Sequence, residues 1–316
     1  MNGSRAGLVL RVDRSDTGLD LLGQAVRRTL ATCPEARFAT MLVDALHGAE
    51  AGPMGDLRAL LEGDGRLTSD AEITWYGQAT GKEAAKALGA TRHASPSARL
   101  APGELQAVDL GRADLAAADQ LQRLRRLLEH GVVHLALRPG LAVPPDQRLR
   151  FDLAARTLGF RRYEAANWAL PGHEARWLLD ARRGGAIMGV GPGIYGRWSG
   201  PSCWWWWRAG RCHRWRQQLD AGRDGRGRLK RLSPKERAVE RLIDGLRLRE
   251  GADLAAVEVE AGLERTVWLD REALAAMLAT GRLRSAGSRL QVRDLDEVDE
   301  LTEMLLPSPI GSAARP

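Results

Sequence analysis

Two neighbouring stretches of this 316-residue chain carry the residue types and spacings that could do chemistry. The first is GVGPGIYGR over 189–197, with glycines at Gly189, Gly191, Gly193 and Gly196. Glycines this dense serve tight turns and the close approach of another group. Gly191, Gly193 and Gly196 also fit a dinucleotide fingerprint in form, but Arg197-Trp198-Ser199-Gly200-Pro201 cannot open a helix behind them. No helix N-terminus would face a pyrophosphate, so the fingerprint is rejected. The second stretch runs from Cys203 through the four tryptophans Trp204–Trp207 to Arg208, Arg211, Cys212, His213, Arg214, Trp215 and Arg216. Interleaved indoles and guanidiniums can stack on and pair with a flat, anionic macrocycle, at ~0.5–2 kcal/mol per cation–π contact. They can equally stack the bases of a single strand, or act as a hydrophobic plug with a structural role, which is the favoured reading. Cys203, Cys212 and His213 match no zinc spacing. A Cys or His axial ligand to haem iron is chemically open. His93, His130 and His134 are expected to be satisfied polar residues.

Composition restricts the classes. The chain is 44% hydrophobic and has no apolar run of the ~18–20 residues that a membrane span requires. Its first residues form only a short apolar patch interrupted by Arg11, so no secretory signal is expected and the cytoplasm is the expected location. Three cysteines, Cys33, Cys203 and Cys212, do not make a disulfide framework. Of 47 basic residues only four are lysine. Nine basic residues against Asp220 and Asp224 lie between Cys203 and Leu232, which accounts for the whole formal charge of +7. Such a segment attracts phosphates, acidic lipids or tetrapyrrole propionates, or forms a solvated Arg- and Gly-rich linker.

The elements that would position these residues alternate. Strands are expected over 7–12, 38–43, 71–76 and 132–137, and helices over 21–30, 57–61, 82–88, 113–128 and 147–158. That alternation argues for a parallel sheet or partial barrel. Beyond Leu232 the pattern changes. Ser233-Pro234-Lys235-Glu236 combines a cap, a proline at the first helical position and a capping box. Val239, Leu242, Ile243 and Leu246 then give one apolar face, and Gly251 ends the helix. Helices near 253–259 and 271–278, a hairpin around Ala286-Gly287-Ser288 and a helix over 297–305 complete a winged-helix pattern.

Several segments together resemble the HemW/HemN-like family of radical-SAM proteins, which act in anaerobic coproporphyrinogen oxidation and haem delivery. The run YEAANWALPG from Tyr163, then GVGPG from Gly189, resembles the far end of that family's barrel. LSPKERAVERLIDGLRLREGADL, from Leu232, resembles its helical domain, with Leu246, Arg247, Leu248, Glu250 and Gly251 in place. Weaker likenesses occur at Glu72-Ile73-Thr74, at Gly89, Ala90 and Arg92, and at Leu110-Gly111-Arg112. The departures are equally consistent. The family's CxxxCxxC loop, which holds a [4Fe–4S] cluster for SAM, is replaced by Asp13-Arg14-Ser15-Asp16-Thr17. Its GGTP turn falls near Asp44-Ala45-Leu46-His47, and Tyr76 and Gln78 stand where a Glu and an Asn recur. Its HNxxYW element holds Trp177, Leu178, Ala181 and Arg182, and Tyr195 replaces its usual His.

The resemblance implies an α/β fold: a shortened radical-SAM-type partial (β/α) barrel followed by a small winged-helix-like α domain. The expected divisions are a barrel over 7–202, a basic Trp/Arg linker over 203–232, the helical domain over 233–306 and a disordered tail over 307–316. The resemblance implies haem or a porphyrin as ligand and a chaperone-like role without catalysis, since [4Fe–4S] and SAM are unsupported by these residues. The expected binding residues are Gly189, Gly191, Gly193, Tyr195, Arg197, Trp204, Trp205, Arg208, Arg211, Cys212 and His213. The alternatives are a radical-SAM enzyme with unconventional cluster binding, or a module for a protein partner or single-stranded nucleic acid through the basic segment. Groove reading of nucleic acid is disfavoured, because the helix before the wing starts Asp270-Arg271-Glu272 and is not basic.

Overall fold

A computed structural model describes residues 5–12, 19–32, 37–45, 67–79, 104–110, 115, 119–129, 131–137, 143–199 and 204–307. The helices expected over 57–61 and 82–88, the tail after Pro307, Cys33, Cys203, His93 and His130 lie outside these residues. The chain opens as β1 (Arg5–Val12), α1 (Leu19–Ala31), β2 (Arg37–Ala45), β3 (Leu67–Ala79), β4 (Glu104–Leu110), α2 (Gln120–Glu129), β5 (His134–Leu137) and α3 (Pro145–Thr157). It continues with β6 (Arg161–Glu164), β7 (Asn167–Ala169), α4 (Arg176–Arg182), β8 (Ala186–Val190), β9 (Tyr195–Ser199), β10 (Trp204–Arg208), α5 (Cys212–Asp220) and β11 (Lys230–Leu232). The last part holds α6 (Pro234–Leu246), β12 (Ala252–Asp253), α7 (Leu254–Ala261), α8 (Arg271–Ala279), β13 (Leu283–Ala286), β14 (Arg289–Val292) and α9 (Val298–Leu305).

These elements make an α/β protein with one mixed eleven-stranded sheet, ordered β11-β10-β9-β8-β1-β2-β3-β4-β5-β7-β6. The six central strands, from β8 to β5, are parallel. Antiparallel strands extend both ends. Side-chain alternation sorts the layers. Trp206 faces Arg197 across β10 and β9, and Trp207 faces Gly196. Arg197 reaches the Ala181 carbonyl on α4 and Asp244 on α6, so α4 and α6 cover that face. Trp207 packs on the other face in one core with Leu22 and Val26 of α1 and Trp215 and Leu219 of α5. Arg28 of α1 donates to the Leu219 carbonyl at 2.7 Å and ties these two outer helices together.

Among the described residues the sheet does not close by strand pairing, yet it must curve. Eleven strands spaced ~4.8 Å apart span about 48 Å along the sheet. α6, with 13 residues, rises only ~1.5 Å per residue, about 20 Å in all. It begins two residues after β11 at one edge. Directly after it, Ala165 donates to the Arg247 carbonyl and Arg249 to the Tyr163 carbonyl, both at 2.9 Å, along β6 at the other edge. A short helix therefore bridges the two margins of a long sheet, and α4 packs on the bridged side across β1, β2, β3 and β8. The partial barrel is thus open between its strands and strapped by α6.

The capping box works as written. Ser233 Oγ accepts from the Glu236 N–H at 3.2 Å, and Glu236 Oε2 accepts from the Ser233 N–H at 2.8 Å. Leu242 and Leu246 point into a second core with Trp268, Leu290 and Leu301. There β12, β14 and β13 form a small sheet beside α7 and α8.

One expectation needs correcting. Residues 203–232 are not a linker: within them β10, α5 and β11 are integral to the large sheet and its outer layer. The reason is apolar burial. Trp207, Trp215 and Leu219 are buried, which no solvated connection would require. Removing a fully buried tryptophan such as Trp207 by an alanine change costs about 3–5 kcal/mol. Among the described residues no helix is long and apolar enough to cross a membrane.

Candidate functional site

The structure divides most of the expected binding residues between two places. β8 and β10 both run parallel to β1, so all three end on the same rim of the sheet. The glycine turn follows β8 there. Gly191 has φ of +125°, and a Cβ on it would strike the Arg11 carbonyl at the end of β1. Gly193 has φ of +68° and lies beside the Arg11 guanidinium; a Cβ there would be 3.7 Å from Nη1. Two backbone bonds then dock this turn on the residues that follow β10: Gly193 N–H to the Gly210 carbonyl and Ala209 N–H to the Ile194 carbonyl, each 2.8 Å. Arg208, Arg211, Cys212 and His213 therefore enter the same rim, where Cys212 and His213 open α5. Arg208, Arg211 and His213 are exposed, and Cys212 is half-buried. In parallel α/β sheets ligands bind at this carboxyl end of the strands.

Gly189 and Gly196 serve close approach instead of φ-positive turns. A Cβ on Gly189 would meet the Tyr195 carbonyl, and one on Gly196 would enter the Trp207 ring.

The second place is the strapped side. Arg197 is buried, with Nε on the Gly185 carbonyl at 2.9 Å and its other nitrogens on the Ala181 carbonyl and Asp244. Arg182 joins Asp244 Oδ1 at 2.6 Å and Glu164 Oε1 at 3.1 Å. Arg247 reaches Glu164 at 3.0 Å and Asp299 at 2.6 Å. Arg237 binds Glu240, Glu260 and the Gly184 carbonyl, each at 2.6 Å, and lays its guanidinium 3.7 Å from the Trp204 ring centroid. Burial alone would raise the carboxyls of Glu164 and Asp244. The guanidiniums of Arg182 and Arg247 hold Glu164 below its usual range, and those of Arg197 and Arg182 do so for Asp244. Tyr195 stands within reach of this charge; burial raises its phenol while Arg182 draws it down. Arg197, Tyr195 and Trp204 are therefore engaged by the protein itself. Sequence reasoning missed this cluster, because its partners come from α4, β6, β9 and α6. Alternation on β9 and the helical spacing of Glu240 and Asp244 were the only local signals.

Trp205 points to the outer face, opposite Trp198 and Arg231 in register, and is 37% exposed. Among the described residues no group of three His, Cys, Asp or Glu is arranged to hold a metal ion.

The HemN C-terminal domain profile matches residues 232–295. Over 182 residues the chain is 30% identical to the heme chaperone HemW of Mycobacterium tuberculosis, in strains CDC 1551 / Oshkosh and ATCC 25618 / H37Rv. That match covers 55% of this chain and 44% of the relative, so the chain spans a little under half the length of the curated relatives it matches. Its fold is similar to coproporphyrinogen III oxidase (HemN) from Escherichia coli, described as a radical SAM enzyme, with a TM-score of 0.63. The identity there is 14%, over 96% of this chain and 90% of that one. Together these likenesses support membership of the HemW/HemN-like family.

The likeness to a radical SAM enzyme suggests SAM and a [4Fe–4S] cluster among the cofactors of the family. Such a cluster needs several closely spaced thiolates. The connection from Val12 to Leu19 reads DRSDTG and has no thiol, and the chain's three cysteines stand at 33, 203 and 212. The only one of these among the described residues, Cys212, opens α5. This donor set does not fit the cluster, and no chemical step is derived through it. At the HNxxYW position of the HemW/HemN-like pattern, Arg182 turns to Glu164 and Asp244.

Proposed function

We propose that this chain is a non-catalytic, cytoplasmic accessory protein that binds haem or a related porphyrin at the rim formed by the ends of β1, β8 and β10. The observation that carries this reading is the 2.8 Å bond from Gly193 N–H to the Gly210 carbonyl. With the Ala209–Ile194 bond it joins the glycine turn to the segment that carries Arg208, Arg211, Cys212 and His213. The named relatives add support: one is a heme chaperone and another a coproporphyrinogen oxidase.

The chemistry follows from charge and donor type. Arg208 and Arg211 are exposed and make no ion pair among the described residues. Guanidiniums pair well with carboxylates such as propionates, and bidentately where the geometry allows. His213 offers an imidazole, and Cys212 a thiol, to a macrocycle's iron. Gly191 and Gly193 leave the turn without side chains, so a flat ligand can approach its backbone.

The test is titration of the purified chain with haem. A shifted Soret band with quenched tryptophan emission is expected, and His213→Ala should move the band position. An unshifted spectrum at saturating haem contradicts the reading.

A further inference from the structure

We propose that the outer edge of β11 accepts an extended, acidic segment of a partner protein as an added strand. The two margins of the large sheet are treated differently. At β6 the margin is sealed by residues 247–249, through the Ala165–Arg247 and Arg249–Tyr163 backbone bonds and the bridge between Glu164 and Leu248. At the other margin β11 is the terminal strand, and among the described residues no strand pairs beyond it. Such a margin presents main-chain donors and acceptors to a visiting strand.

The side chains beside it have an uncommon combination. Trp198, Trp205 and Arg231 stand opposite one another across β9, β10 and β11, on one face of the sheet. Trp205 is 37% exposed, and Leu229, two residues before Arg231, is 45% exposed. Arg228 and Arg231 are exposed and make no ion pair among the described residues. Lys230, beside Arg231 in the strand, is by contrast held by Glu236 at 2.6 Å. Exposed Trp and uncompensated Arg are the residue types that dominate protein–protein binding energy.

Charge selects the occupant. A second copy of this chain would bring Arg228 and Arg231 against themselves, and like charges across paired strands repel. An acidic segment compensates them. Single-stranded nucleic acid could use the same guanidiniums and Trp205, but it has no use for a main-chain edge.

The test uses fluorescence anisotropy on the full chain with labelled probes. One is an extended peptide alternating glutamate and valine; two others are the same peptide N-methylated on all valine amides or on all glutamate amides; the last is a single-stranded oligothymidylate of similar charge. The plain peptide should bind, and one of the two N-methylated forms should weaken by about tenfold or more. Arg231→Glu should weaken the plain peptide by about tenfold, with an unchanged circular dichroism spectrum and melting temperature. Three results would overturn the proposal: no peptide binding at about 1 mM, equal binding of both N-methylated forms, or tighter binding of the oligonucleotide than of the peptide.

Discussion

Arg182 on α4 donates to Asp244 Oδ1 on α6 at 2.6 Å while its other terminal nitrogen lies 3.1 Å from Glu164 Oε1 on β6. One guanidinium thus connects the strap, the sheet margin and the helix between them. A buried ion pair is retained only where each charge is compensated, and here Arg197 and Arg247 supply the remaining contacts. Removing one partner leaves the others buried and uncompensated. Asp244→Asn is therefore expected to cost about 3–5 kcal/mol by urea denaturation. Arg150→Ala, which breaks the exposed pair with Asp146, should cost less than about 1 kcal/mol. Equal costs for the two variants would contradict the role of the strap.

His134 gives the fold a dependence on pH. Its ring is fully buried, with Nε2 2.7 Å from the Tyr163 hydroxyl, and burial lowers its pKa to about 3 against an opposing effect of Glu164. The folded value lies below the ordinary 6.5, so the stabilisation is complete above pH 6.5 and is lost as pH falls towards 3. The slope in that window approaches about 1.4 kcal/mol per pH unit. Stability measured between about pH 6.5 and 4.5 should fall in the native chain, and the fall should be much flatter in His134→Gln. Parallel curves would show that His134 does not carry the effect.

The glycine turn should be intolerant where its neighbours leave no room. Gly191→Ala places a methyl against the Arg11 carbonyl at a φ of +125°. Gly222 has φ of +77° and nothing within 4 Å of a Cβ. Gly222→Ala should cost about 1 kcal/mol through backbone strain alone. Gly191→Ala should cost more and should also weaken haem binding. Comparison of melting temperatures and haem titrations for both variants checks this.

Anaerobic treatment with iron and sulfide tests the reading of the β1–α1 connection. A competent radical-SAM chain would take up about four irons per cluster and cleave SAM on reduction. This chain is expected to retain no iron above background after desalting. A brown product with a cubane spectrum would restore the enzymatic alternative.

The sequence made much of this architecture legible, for identifiable reasons. The α6 start was readable because Ser233, Pro234 and Glu236 act locally, and all three signals appear in the structure. The strands β1, β2, β3 and β5 announced themselves through β-branched and leucine-rich runs. β4 did not, because ELQAVDL mixes polar and apolar residues and its pairing with β3 and β5 is a tertiary fact. β10 was hidden by uniformity: four tryptophans in a row have no period, and only the fold decides that Trp207 is buried and Trp205 is not. α5 offered only Trp215 and Leu219 on an Arg-rich background. The Gly191–Gly193 turn was legible from composition. The diversion of Arg197, Tyr195 and Trp204 into internal contacts was not, since Asp244 lies 47 residues beyond Arg197 and Arg237 lies 33 beyond Trp204.

The central claim is that rim arginines hold the carboxylates of a macrocycle, and its sharpest test compares haem with haem dimethyl ester by Soret titration. Haem should bind at least about tenfold more tightly than the ester, and an Arg208→Glu, Arg211→Glu double variant should erase the difference. Equal affinity of the native chain for both, or no binding of either, would contradict the account.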